Sequence, residues 1–243
     1  MILGSDPAAI IEHLRQGDIA VTGQFMWGSN YTFLCTVTYQ EQIVQAVYKP
    51  VRGERPLWDF PSESLAGREV AAYLLSEAGN WGIVPPTVFR KHGPVGPGSL
   101  QGYVEHDPDY HYFEFTEEDK SRLRPTVLFD VIANNTDRKA GHILVDPDGK
   151  LWLIDHGVCF HVEPKLRTVI WDFAGFALNS EEIAQLRTLE PQLMPEEALF
   201  QQLSHYLSHR EIRAIRDRIS ETLDAGKFPF PRSDRYSMPW PPV

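Results

Sequence analysis

Asn135-Thr136-Asp137-Arg138-Lys139-Ala140-Gly141-His142-Ile143-Leu144-Val145-Asp146, followed shortly by Leu153-Ile154-Asp155-His156-Gly157, is the stretch on which the reading of this chain turns. A short apolar hairpin runs between two acidic positions, Asp137 and Asp155. Carboxylates at the two ends of one hairpin can face the same cleft and divide labour there. One can orient a hydroxyl while the other holds a cation.

Upstream the pattern is that of strands. Ile19-Ala20-Val21, Tyr31 to Val37 and Ile43 to Lys49 are β-branched and aromatic runs, and they predict a three-stranded antiparallel meander. A short helix from Pro7 to Arg15, capped by Asp6, precedes them. Pro50 is expected to stop the third strand and the Gly-, Pro- and Arg-rich residues 51–61 to form a loop. A helix from about Ser64 to Ala78 follows, closed by Gly79. Two further strands, Thr87 to Arg90 and Ser99 to Val104, are expected on either side of a turn-rich loop from His92 to Gly98.

Beyond Glu105, the acidic and aromatic segment from His106 to Asp119 reads as a linker or surface insertion. Leu123 to Asn134 has helical spacing, with Pro125 in the first turn, where a missing N–H does no harm. Helical spacing returns from about Glu181 to Gly226, and the Pro-rich tail from Phe228 is not helical. The expected division is a β-rich lobe with one main helix over 1–105 and a mainly helical lobe with the hairpin over 106–243.

Composition narrows the class. A chain of 243 residues, 42% hydrophobic and 23% charged, can bury a substantial core and is neither disordered nor coiled coil. A net charge of −10 argues against broad nucleic-acid binding, which needs many cations against phosphates. Cys35 and Cys159 are too few for a disulfide framework or a zinc site, so a reducing cytoplasm is expected. No basic, apolar leader and no transmembrane segment of ~18 apolar residues is read in the sequence.

A β-rich lobe, a connecting segment and a helical lobe with a catalytic hairpin between them resemble the protein-kinase-like superfold, an α+β bilobal fold. The atypical branch is the nearer likeness. Asn135-Thr136-Asp137-Arg138, the short Ile154-Asp155-His156-Gly157 and the strand ending Val47-Tyr48-Lys49-Pro50 are similar to phosphoinositide 3- and 4-kinases and to HipA-type kinases. The likeness extends over roughly Gly23 to Gly175. More narrowly, the chain resembles a group of bacterial proteins related to that branch, from which no acceptor carries over.

The resemblance implies ATP as substrate, Mg²⁺ as cofactor and a role for each matching residue. Lys49 would contact the α- and β-phosphates, and Glu69 in the following helix would pair with it. Backbone amides of Gly28, Ser29 and Asn30, with the Ser29 hydroxyl, would form a small anion nest. Asp137 would act on the acceptor hydroxyl, Arg138 would tie the loop down, and Lys139 would neutralise charge on the γ-phosphate. Asp155 would hold the metal. Adenine would lie against the connecting strand, at Gln101, Tyr103 and Val104, with Ile154 lining the pocket.

One position departs from the family pattern. His142 stands where an asparagine normally ligates the second Mg²⁺, and an imidazole nitrogen suits Mn²⁺ better than Mg²⁺. Two other activities fit the same motifs: AMP transfer, with the α-phosphate attacked, and a nucleotide-binding pseudokinase. Survival of both Asp137 and Asp155 argues against the latter, since a scaffold needs neither. The acceptor, whether protein, lipid headgroup or small molecule, is left open.

Overall fold

The computed structural model describes residues 7–25, 31–234 and 236–243. Five antiparallel strands form the first layer: β1 (Asp18–Gln24), β2 (Phe33–Tyr39), β3 (Gln42–Pro50), β4 (Thr87–Gly93) and β5 (Gly96–Gly102). Their order is β1-β2-β3-β5-β4, so the meander read in the sequence is extended by a second hairpin. Alternation sends Cys35, Val37, Ala46, Tyr48 and Leu100 to one face, where helix α1 (Pro7–Gln16) covers them with Ile10 and Leu14. Gly17 is required at that junction, because a Cβ there would lie 2.5 Å from Val37 Cγ1 and 2.8 Å from His13 O. The expected N-cap, Asp6, lies outside the described residues.

Pro50 stops β3 as expected, and one other boundary differs for a physical reason. Pro50 ends β3 inside the ladder, opposite Gly98, at its last register position. The stretch from His92 to Gly98, expected as a loop, is the tip of the β4–β5 hairpin. Its glycines make room for Tyr48: a Cβ on Gly93 would meet the phenol oxygen at 2.6 Å, and one on Gly98 the ring at 2.7 Å. The Tyr48 hydroxyl donates to Gly96 O at 2.5 Å, so glycines that read as punctuation serve close packing.

Helix α2 (Leu65–Ala78) packs on β4 and β5. Its N-terminus is capped from a distance, as Leu65 N–H and Ala66 N–H donate to the Glu54 carboxylate at 3.2 and 2.8 Å. The second lobe carries α3 (Glu117–Ser121), α4 (Arg124–Ala133), the hairpin β6 (Ile143–Val145) and β7 (Leu151–Leu153), then α5 (Ser180–Leu189), α6 (Ala198–Leu203) and α7 (His209–Ala225). Leu128, Phe129, Ile132, Leu203, Ile212, Ile215, Ile219 and Phe228 fill its core. Ala71, Ala72 and Leu75 of α2 join that core, so the helix is shared by sheet and helical lobe. The segment expected as a linker is anchored: Tyr112 and Phe115 are buried, and the Tyr112 hydroxyl donates to Asp172 at 2.6 Å.

Candidate active site

The loop that bears Asp137 begins where α4 stops. Asn134 adopts the left-handed conformation (φ 52°), and its side-chain amide donates to His161 O and Glu163 O at 2.8 and 2.7 Å. Asn135 is buried and bridges Asp130 to the Asp137 N–H, at 3.0 and 2.9 Å. That places Asp137 at the rim of the cleft on a turn fixed from below.

Arg138 organises the loop. It is fully buried, and all five of its N–H donors are used. Two go to the Asp130 carboxylate at 2.9 and 3.0 Å, two to the carbonyls of His142 and Ile154 at 3.1 and 2.8 Å, and one to His156 Nε2 at 2.8 Å. One side chain thus joins α4, the 3₁₀ turn Ala140–His142 and the segment around Asp155. Asp130 was not singled out in the sequence reading, although a carboxylate between Phe129 and Val131 on a buried helical face is a signal of a paired charge.

Across the cleft Lys49 donates to Glu69 Oε1, and to Asp155 Oδ1 at 3.1 Å. The other Glu69 oxygen accepts the His156 N–H at 2.9 Å, so Glu69 fixes both the lysine and the chain beside Asp155. Asp155 has φ of 61°, a conformation that costs roughly 1–3 kcal/mol in a residue with a side chain. It turns the carboxylate between Lys49 and His142, whose Nε2 lies 3.2 Å from Asp155 Oδ2. His142 Nδ1 lies 3.1 Å from the Asp137 carbonyl, to which it donates. Lys139 Nζ stands 3.9 Å from Asp137 Oδ2. Glu69, Lys49, Asp155, His142 and the Asp137 backbone therefore form one continuous line of polar contacts.

The electrostatics separate the two carboxylates. Lys49 holds Asp155 well below the usual carboxylate range, outweighing burial. Burial, reinforced by Asp155, lifts Asp137 to about 6 against the pull of Lys139. Burial also lowers His142 to about 4, even with Asp155 beside it, so the imidazole is neutral at pH 7. With Nδ1–H given to a carbonyl, Nε2 presents a lone pair to a carboxylate with no proton between them. Two acceptors facing each other this closely suit a cation. Among the described residues no cluster of three or more His, Cys, Asp or Glu side chains stands ready to hold a metal unaided, so further ligands would come from substrate or water.

A family model described as phosphatidylinositol 3- and 4-kinase matches residues 62–213, which contain α2, the loop that bears Asp137 and the Asp155-His156-Gly157 segment. The chain belongs to this family. Protein Rv2133c of Mycobacterium tuberculosis is 37% identical over 276 aligned positions, covering 99% of this chain and 97% of that protein. Phosphatidylinositol 4-kinase gamma 5 of Arabidopsis thaliana is 28% identical over 155 positions, and the match spans 51% of this chain and 24% of the plant protein. The solved structure of hydra Fam20 with sugar shares the fold, with a TM-score of 0.53, 14% identity, and coverage of 92% of this chain and 89% of that one. The α+β bilobal fold is accordingly that of the atypical kinases, a fold consistent with ATP-dependent phosphotransfer.

Other positions marked by family resemblance fall less uniformly. Gly28, Ser29 and Asn30 lie outside the described residues. Gln101 pairs with Val47 on one side and Thr87 on the other, and its side-chain amide donates to Thr87 Oγ1 at 2.9 Å. Position 101 lies inside the sheet, and β5 ends at Gly102, two residues before the expected end at Val104. Tyr103 N–H is tied back to Gln45 O at 3.0 Å. Val104 packs with Leu144, Trp152 and Ile154 in a small apolar cluster joining the connecting strand to the β6–β7 hairpin. Beside it opens a groove of about 430 Å³, lined by Glu105, His106, Tyr110 and Val145 among others.

Proposed function

We propose that this chain transfers the γ-phosphoryl group of ATP to an acceptor hydroxyl, with Asp137 as the catalytic aspartate. The observation that carries this reading is the line from Glu69 through Lys49, Asp155 and His142 to the backbone carbonyl of Asp137, a residue whose carboxyl burial lifts to about 6. Lys49 supplies a cation toward the nucleotide phosphates, kept charged by Asp155 and Glu69 against the opposing effect of burial. Asp137 accepts the hydroxyl proton or aligns the hydroxyl, and Lys139 balances negative charge beside it. Asp155 and His142 would hold a Mg²⁺ or Mn²⁺ ion, which neutralises phosphate charge when bound.

Adenine packs on the Val104, Leu144 and Ile154 cluster. Among the described residues no partner is bonded to the Val104 N–H, which leaves it for the base. The acceptor is a protein, a lipid headgroup or a small molecule. Plant relatives named for phosphatidylinositol make a lipid headgroup one of the acceptors to test. Both cysteines are buried free thiols, which supports a cytoplasmic setting, and no described helix is long and apolar enough to cross a membrane.

ATP consumption by wild type and Asp137→Ala, with thermal shift by ATP plus Mg²⁺ or Mn²⁺, tests the reading. Turnover that needs Asp137 is expected. Binding with no Asp137-dependent turnover would favour a pseudokinase, and an acceptor that gains AMP would favour adenylyl transfer.

A further inference from the structure

Arg68 is the residue before Glu69 on α2, and it is 1% exposed although it carries a full charge. Its Nη2 pairs with Glu211 Oε1 on α7, 143 residues away in the sequence. Nη1 donates to the Cys159 carbonyl at 2.7 Å, four residues after Asp155, and Nε donates to Ser64 Oγ at 3.3 Å. The guanidinium also lies over the Phe60 ring, 4.9 Å from its centroid. Glu211 is itself fixed, since its second oxygen accepts from the Ser208 N–H and hydroxyl at 2.8 and 2.7 Å in the capping box that starts α7.

Arg68 and Glu69 therefore hold the chain after Asp155 at two successive points, the Cys159 carbonyl and the His156 N–H. Gly157 permits this approach, because a Cβ there would stand 3.3 Å from Leu65 Cβ. A buried ion pair contributes little net stability over an apolar pair, yet removing one partner strands a charge. Its specific effect is on position: α2 cannot swing outward with Glu69 unless Arg68 leaves Glu211 and the Cys159 carbonyl together.

We infer that Arg68 and Glu211 are positioning residues that lock α2 onto the helical lobe, so the Lys49–Glu69–Asp155 arrangement is assembled without an activating modification. The catalytic meaning of the lock rests on the kinase reading above, while its mechanical content does not. The test compares Glu211→Ala, Glu211→Gln and, as a cap-only control, Ser208→Ala in the full chain. Hydrogen exchange of the α2 amides without nucleotide and steady-state kinetics in ATP are both measured.

Glu211→Ala is expected to speed exchange along 65–78 at least tenfold and to raise KM for ATP about tenfold. Glu211→Gln, which keeps an acceptor, should recover most of both. Ser208→Ala should lower Tm with α2 exchange and KM near wild type. Unchanged α2 exchange in Glu211→Ala overturns the lock, as does a Ser208→Ala protein that reproduces both effects. Loss of activity on phosphatase treatment of wild type would overturn its independence from modification. A wild-type chain that binds no ATP refutes the kinase reading instead, and the exchange experiment still decides on the lock.

Discussion

Asp137 and Asp155 are the same residue type within one cleft, and their surroundings drive them in opposite directions. Asp155 is ionised by Lys49, whereas burial makes Asp137 a weaker acid with a pKa of about 6. A base must be deprotonated to act, so kcat/KM should rise as pH increases through about 6 and then level off. Asp137→Asn should abolish that limb and lower kcat roughly 10²- to 10⁴-fold, as a pH–rate profile of both proteins will show. His142 offers a second residue-scale test. Its Nε2 faces Asp155, so His142→Asn should exchange a nitrogen ligand for an oxygen and shift preference toward Mg²⁺. Titration of Mn²⁺ and Mg²⁺ into each protein with a non-hydrolysable ATP analogue measures this. An unchanged Mn²⁺ to Mg²⁺ affinity ratio would remove His142 from the ligand set.

At the scale of elements, the Arg138 hub explains how one short loop holds several groups in place. Asp130→Ala removes the carboxylate that pairs with a fully buried guanidinium, and should cost about 3–5 kcal/mol in urea unfolding. A loss below about 1 kcal/mol would mean that the carbonyls and His156 suffice. Comparison of elements also shows what the sequence makes legible. Lys49, Asp137 and Asp155 are legible through family resemblance, because each sits in a short contiguous motif: Val47-Tyr48-Lys49-Pro50, Asn135-Thr136-Asp137-Arg138 and Ile154-Asp155-His156-Gly157. Arg68 with Glu211 is not, since helical charges normally read as solvated and nothing local indicates a partner on α7. Both strands of the β4–β5 hairpin are legible, but not how far they run into the turn between them. Local turn chemistry at Gly93, Gly96 and Gly98 is real, but the packing of Tyr48 decides what it is for.

At the scale of the whole molecule, the loop that bears Asp137 is braced by a segment distant from it in sequence. The tail beyond Phe228 returns across the helical lobe, where Pro242 O accepts the Ala140 N–H at 2.8 Å. Ser237 O accepts the Thr168 N–H at 3.0 Å and the Trp171 indole at 3.2 Å. Thr168 is bridged in turn to Arg138, so the Asp137 loop, the segment around Thr168 and the tail lie side by side. Composition could mark the tail as non-helical but could not say where it goes, because proline fixes backbone shape and not destination. Removing residues 232–243 leaves Phe228 in the core and exposes the three donors to water. At ~0.5–1.5 kcal/mol net per hydrogen bond, the expected loss of stability is about 2–4 kcal/mol. Ala140 and Thr168 amides should exchange faster, and kcat should fall about tenfold as the turn bearing Lys139 and His142 loosens, with KM for ATP nearly unchanged. Wild-type exchange at both amides in the shortened chain would show that the loop is held by Arg138 alone.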